Sequence, residues 1–303
     1  FLPKFILMQV LEGSLVALTT PMFPNGEIDY QSLERLIDWH IGEGTNGIVS
    51  VGTTGESATL NLNEHLDVIG FTTKYAKKRI PVIAGTGANS TQEAIELTQE
   101  SKKLGADCVL LVTPYYNKPN QKGLIAHYEL IANSVEIEQI LYNVPSRTAC
   151  DLLPSSVEIL SKHKNIIGIK EAVDDFKRIK DLIDIAQKLD KDFFIYSGDD
   201  PTFTKSLELG TNGVISVAAN VIPKSISNIC SYVRNGDENA ARELNAKNEL
   251  LYKLLFVESN PIPVKWMLFK MGIIQNAIRL PLVELDKSYH DEVLSEMIKL
   301  QII

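Results

Sequence analysis

The chain alternates between short, almost wholly apolar runs and longer stretches in which apolar residues return with helical spacing. The runs cover 14–18, 47–51, 81–84, 108–112, 139–142, 166–170, 193–197 and 213–217. They lack the in-out alternation of a half-exposed strand, so they predict strands covered on both faces, as in a parallel sheet. The stretches between them predict helices. Over 175–189, Phe176, Ile179, Leu182, Ile183, Ala186 and Leu189 share one face, with Asp and Lys opposite. Ser90-x-x-Glu93 predicts a capping box opening a helix over 91–104, closed by Gly105. Helix, glycine and strand follow one another again at Gly44-Thr45 and Gly210-Thr211.

Eight such units in series predict an α/β fold, a closed (β/α)8 TIM barrel, in preference to an open doubly wound sheet. Roughly 85 residues follow the eighth run, more than one closing helix needs. Helical spacing over 221–234, 238–256, 263–271 and 289–300 gives one closing helix and a C-terminal helical appendage. The expected organisation is an N-terminal extension over 1–12, a catalytic barrel over 13–234 and the appendage over 235–303. The first ten residues are apolar apart from Lys4 and Gln9. They are short for a secretory leader and no A-x-A-like cleavage site follows, so they read as a start-site extension, with Met8 an alternative initiator. No run approaches the ~18 apolar residues of a membrane span.

Composition narrows the function. Hydrophobic residues make up 45% of the 303 and charged residues 22%, the proportions of a globular protein. A net charge of −8 argues against nucleic acid or an anionic membrane as the partner, but leaves room for an acidic small molecule held by a local arginine. Cys108, Cys150 and Cys230 form neither a metal spacing nor a disulfide framework, which points to a reducing cytoplasm. His40, His65, His127, His163 and His290 form no metal cluster or triad, and no cofactor motif is present, so neither metal nor cofactor is expected.

In a (β/α)8 barrel the chemistry lies at the C-terminal strand ends. Strand two ends in Gly52-Thr53-Thr54-Gly55-Glu56-Ser57, a turn able to hold a carboxylate through N–H groups and hydroxyls, and lacking the lysine of a phosphate loop. Strand three ends in Gly85-Thr86-Gly87-Ala88-Asn89-Ser90, near a dinucleotide fingerprint. Its would-be ribose acid, Asp107, precedes the next strand instead of ending it, so that reading fails. Strands four and five contribute Tyr115, Tyr116, Tyr142 and Arg147: phenols for proton relay and a fork for a carboxylate. Taken singly, each reads first as a barrel-capping tyrosine or a solvated loop arginine. Strand six closes in Lys170. Facing inward, its amine would lose proton affinity by burial and could attack a ketone to form an imine; facing outward, it would only snorkel. Strands seven and eight end in Ser197-Gly198-Asp199-Asp200 and Ile215-Ser216-Val217, expected to offer carbonyls and little chemistry.

The segments Gly52–Ser57, Tyr115-Tyr-Asn117, Tyr142-Asn-Val-Pro-Ser-Arg-Thr148, Gly168-Ile-Lys-Glu171 and Asn260-Pro-Ile-Pro-Val-Lys-Trp266 resemble the dihydrodipicolinate synthase family, within the pyruvate-dependent aldolase and N-acetylneuraminate lyase superfamily. The resemblance runs from about Gly13 to the end, in the family's order and spacing. It implies a lyase of the diaminopimelate and lysine pathway that condenses pyruvate with L-aspartate 4-semialdehyde. It implies Lys170 as the Schiff-base residue, Tyr142 as proton shuttle, and Thr53 linking Tyr142 to a Tyr116 contributed by a neighbouring subunit. Thr54 would hold the pyruvate carboxylate and Arg147 that of the semialdehyde, with Gly198 and Ile215 lining the pocket. It implies a homotetramer built as a dimer of dimers. Feedback inhibition by L-lysine is implied at a cleft whose pattern Ser57, Ala58, His65, Asn89, Glu93 and Tyr115 match, while Leu62 departs from the histidine of some relatives. Arg147 after Val144-Pro-Ser suits an amino-acid semialdehyde better than the polyol chain of a sugar-acid aldolase. A barrel that had become a binding protein would have lost Lys170, Tyr142 or Arg147.

Overall fold

A computed structural model describes residues 11–303; most of the expected extension, with Met8, lies outside the described residues. Eight parallel strands close into a barrel in chain order. They are β1 Gly13–Ala17, β2 Gly47–Ser50, β3 Val82–Gly85, β4 Cys108–Val112, β5 Gln139–Asn143, β6 Ile166–Glu171, β7 Phe194–Ser197 and β8 Gly213–Ser216. All eight apolar runs are strands, displaced by at most a residue at either end. Every strand residue except Val112 is buried, as expected for strands with side chains on one face and helices on the other.

The helices wrap the outside: α1 Tyr30–Gly42, α2 Leu62–Ala76, α3 Thr91–Lys103, α4 Gln121–Ser134, the single turn α5 Pro145–Thr148, α6 Pro154–Leu160, α7 Phe176–Gln187, α8 Phe203–Leu209 and α9 Pro223–Arg234. Beyond them lie α10 Glu238–Leu254, α11 Ile262–Lys270 and α12 His290–Lys299. Among the described residues no helix is long and apolar enough to cross a membrane. Asp29, Asn61, Ser90, Asn120, Asp175 and Asp237 cap their helices by accepting a backbone N–H, each worth about 1 kcal/mol. Ser90 accepts from Glu93 N–H, but the reciprocal half of the expected box is not formed; the complete capping box is Asn61 with Glu64. Gly105 and Gly210 follow their helices at φ +93° and +112°, left-handed values that a side chain would strain. On α7 the buried residues are Ile179, Leu182 and Ile185, whereas Phe176, expected on the buried face, is exposed at the first turn.

Two apolar layers result. One fills the barrel with Leu15, Val49, Ile83, Leu110, Ile140, Ile167, Phe194 and Ile215; the other lies between strands and helices. Leu11 also packs inside the barrel, and its carbonyl accepts the Tyr196 hydroxyl at 2.7 Å.

Candidate active site

The side to which Lys170 points depends on an irregularity in β6. Strict alternation from Ile167, which faces inward, would turn residue 170 outward. The β5–β6 register shifts between Gln139 and Ile140: Gln139 pairs with Ile166 but Ile140 with Gly168. The extra residue reverses the parity, so that Ile169 joins the outer layer and Lys170 pairs with inward-facing Tyr142. Gly168 is needed at the shift, since a Cβ there would lie 2.5 Å from Phe194 O. Lys170 therefore projects into a cavity of about 780 Å³ at the C-terminal strand ends.

The Lys170 ammonium is brought down from 10.5 to about 8, chiefly by burial, with Asp200 opposing the fall and Arg147 adding to it. Its Nζ lies 4.3 Å from the centre of the Tyr142 ring. Among the described residues no carboxylate pairs directly with Lys170. The Tyr142 phenol is held above its ordinary value by burial, with Arg147 and a hydrogen bond from Thr53 opposing the rise. At neutral pH the pair is thus a protonated phenol beside an amine with an appreciable neutral fraction, the states needed for nucleophilic attack followed by proton transfer.

The β2–α2 loop forms the wall facing the lysine. Its turn is wound tightly: Gly55 and Ser57 donate N–H to Gly52 O, and Glu56 to Thr53 O. Among the described residues nothing accepts from the N–H groups of Thr53 and Thr54. Both threonines line the cavity, and the buried Thr54 hydroxyl accepts from Asn260 Nδ2 at 3.0 Å. Two free N–H groups beside a hydroxyl make a concavity for a carboxylate. Arg147, raised on the α5 turn by Pro145 at its start, lies at the mouth and donates to Asn260 O at 3.5 Å.

Gly198 lines the cavity because a larger residue would displace the lysine: its Cβ would stand 2.9 Å from Lys170 Cε. Ile215 is fully buried inside the barrel and does not appear on the cavity wall. Tyr116 adopts φ +76° and is 89% exposed, turned away from its own chain's cavity. The expectation that strands seven and eight bring little chemistry is corrected. Asp199 lines the cavity, and the buried Asp200 carboxylate accepts from Ser216 Oγ at 2.5 Å and from the N–H groups of Val217 and Ala218. An Asp-Asp pair after a strand reads as a turn, and nothing local marks the second carboxylate as buried. Asn260 was also missed as a cavity residue; its only local signal was its position at the head of the Asn-Pro-Ile-Pro segment.

A second cavity, about 290 Å³, adjoins the first. Ser57, Ala58, Leu62, His65, Glu93 and Tyr115 line it. Asn89 stands outside that lining, with its backbone bonded to the Tyr115 phenol. Burial lowers the His65 pKa, and the ring donates through Nε2 to Gly85 O at 2.7 Å. Thr53, Val144 and Arg147 line both cavities.

Residues 10–300 match the model of the dihydrodipicolinate synthetase family. The chain belongs to this family. It is 54% identical over 288 residues to the 4-hydroxy-tetrahydrodipicolinate synthases of Stutzerimonas stutzeri and Pseudomonas aeruginosa, covering 95% of this chain and 98% of each relative. Among solved structures, the chloride-inhibited family member from Acinetobacter baumannii, complexed with pyruvate, superposes with a TM-score of 0.94 at 51% identity, over 97% of this chain and 100% of that one. The family member from Cyanidioschyzon merolae with lysine bound gives 0.93 at 36% identity, over 97% and 99%.

Proposed function

We propose that this chain is a lyase of the diaminopimelate and lysine pathway, acting as a 4-hydroxy-tetrahydrodipicolinate synthase on pyruvate and L-aspartate 4-semialdehyde. The observation that carries the reading is the buried Lys170, with a pKa of about 8, beside Tyr142 in a cavity flanked by Thr54 and Arg147. The neutral amine of Lys170 adds to the ketone of pyruvate, and water leaves to give the imine. Thr54 and the free N–H groups of Thr53 and Thr54 hold the pyruvate carboxylate. Loss of a methyl proton gives the enamine, whose carbon attacks the aldehyde. Tyr142 carries protons in these steps, with Thr53 linking it to Tyr116 of a neighbouring subunit. Arg147 holds the carboxylate of the semialdehyde. The amino group of the bound semialdehyde then attacks the imine carbon, closing the ring and expelling Lys170. One water is released overall.

The exposed Tyr116 supports assembly through this edge, and we assign a homotetramer, a dimer of dimers. Three free, buried cysteines suit a reducing cytoplasm. L-Lysine fits the second cavity: Glu93 and Tyr115 offer polar partners for its charged ends, and a ligand there would press on Thr53 and Arg147, which belong to both walls. Lysine at millimolar concentration is expected to lower the rate, and an unchanged rate across the titration would remove this regulatory role.

The function is tested by incubating the purified chain with pyruvate and L-aspartate 4-semialdehyde. The expected result is loss of both substrates with formation of the cyclic product. Cleavage of N-acetylneuraminate without that condensation would assign the site to sugar acids instead.

A further inference from the structure

The loop holding Thr53 and Thr54 is strained on both sides. Val51 has φ +56° and Glu56 φ +59°, left-handed values at two residues that carry a Cβ, one of them β-branched. Such conformations persist where surrounding structure over-determines them. Part of that surrounding comes from the far end of the chain. The Glu56 carboxylate pairs through Oε2 with Lys265 Nζ on α11, the two side chains being 2% and 3% exposed. Its Oε1 accepts the Arg279 N–H at 3.1 Å. The Arg279 guanidinium then reaches Thr59 O at 2.8 Å, Gly26 O at 2.7 Å and Glu64 Oε1 at 2.6 Å. Lys265 and Arg279 thus grip the loop from both sides of Glu56, just beyond the two threonines.

A buried ion pair is weak evidence of stabilisation, since an apolar pair of equal volume often serves the fold as well or better. What this pair supplies is a directional link between a strained loop residue and a helix. We infer that Glu56, Lys265 and Arg279 are positioning residues that fix the carboxylate-holding loop, so that α11 and the segment after it set the capture of pyruvate. The inference rests on the imine reading above, with Thr54 as the carboxylate partner. It assigns to Glu56, Lys265 and Arg279 an effect on the first substrate: the semialdehyde is held by Arg147, which stands on a different loop and is bonded to Asn260 and to none of the three.

The test measures borohydride trapping of pyruvate on Lys170 as a function of pyruvate concentration. The charge-free double variant Glu56→Gln/Lys265→Met avoids stranding either buried charge. At saturating pyruvate it is expected to reach the wild-type extent of adduct, while half-maximal trapping needs ~10-fold more pyruvate, the signature of lost ground-state binding. KM for the semialdehyde is expected to stay within twofold of wild type, and Glu56→Asp, one methylene shorter, to fall between. A half-maximal concentration within twofold of wild type in the folded double variant would overturn the inference. If the double variant does not fold, Arg279→Ala decides, because it removes the guanidinium's hold on Thr59 O while the Glu56–Lys265 pair and the main-chain N–H on Glu56 Oε1 remain, and the Glu64 carboxylate it releases is part-exposed. It is expected to raise the half-maximal concentration about threefold, a small loss of the same ground-state binding, and no rise would overturn the inference. Absence of any adduct on the wild-type chain would overturn the imine reading itself, and this inference with it.

Discussion

Lys170→Met is expected to abolish the pyruvate adduct and to lower turnover by on the order of 10⁴-fold or more, the scale of removing a covalent nucleophile. Methionine nearly matches the lysine stem in length and brings no charge into the barrel. The wild-type ammonium is already disfavoured there, which is why burial lowers its pKa to about 8. Thermal stability of the variant is therefore expected to hold or to rise, separating loss of chemistry from loss of fold. The same pKa fixes the pH dependence of the wild-type chain. Lowering the lysine pKa favours the neutral, nucleophilic form, so imine formation should rise with pH and level off above about 8. At pH 7 roughly one lysine in ten is neutral, against roughly one in three thousand for an unperturbed side chain. Initial rates of borohydride trapping between pH 6 and pH 10 read this directly, and an acid limb near the ordinary lysine value would contradict the desolvation argument.

Tyr142→Phe is expected to lower kcat by ~10²–10⁴-fold while leaving Lys170 able to form its adduct, more slowly. The ring remains against Lys170 Nζ and against the barrel interior, so packing is preserved. What disappears is the hydroxyl bonded to Thr53, and with it the path for protons into and out of the imine. Trapping and steady-state turnover measured on the same preparation separate the two variants: Lys170→Met loses both, whereas Tyr142→Phe keeps the first. A Tyr142→Phe chain with wild-type turnover would show that protons travel by another route.

The barrel was legible because its strands are continuous apolar runs and its helices keep one apolar face, patterns that survive without any long-range information. Boundaries moved by one or two residues where a cap or a strand end, and not periodicity, sets the limit. The orientation of Lys170 was not legible, since alternation alone turns it outward and only the register shift against β5 brings it in. The buried Asp200 carboxylate is held by donors at and just after the end of β8, and its sequence neighbours give no sign of them. Glu56 and Lys265 lie 209 positions apart in the chain, and each looks locally like a surface charge. Phe176 misled because it continues the helical stripe, yet it is the first residue of α7 and exposed, and burial begins at Ile179. Chemistry carried on one strand end could be read from the sequence, whereas chemistry assembled by pairing between distant segments could not.

The imine mechanism is tested most directly by reduction of the wild-type chain with borohydride in the presence of pyruvate, followed by peptide mass mapping. A single pyruvate-sized adduct, on Lys170, is the expected result. A folded chain that gains no adduct, or gains it on another lysine, would contradict it.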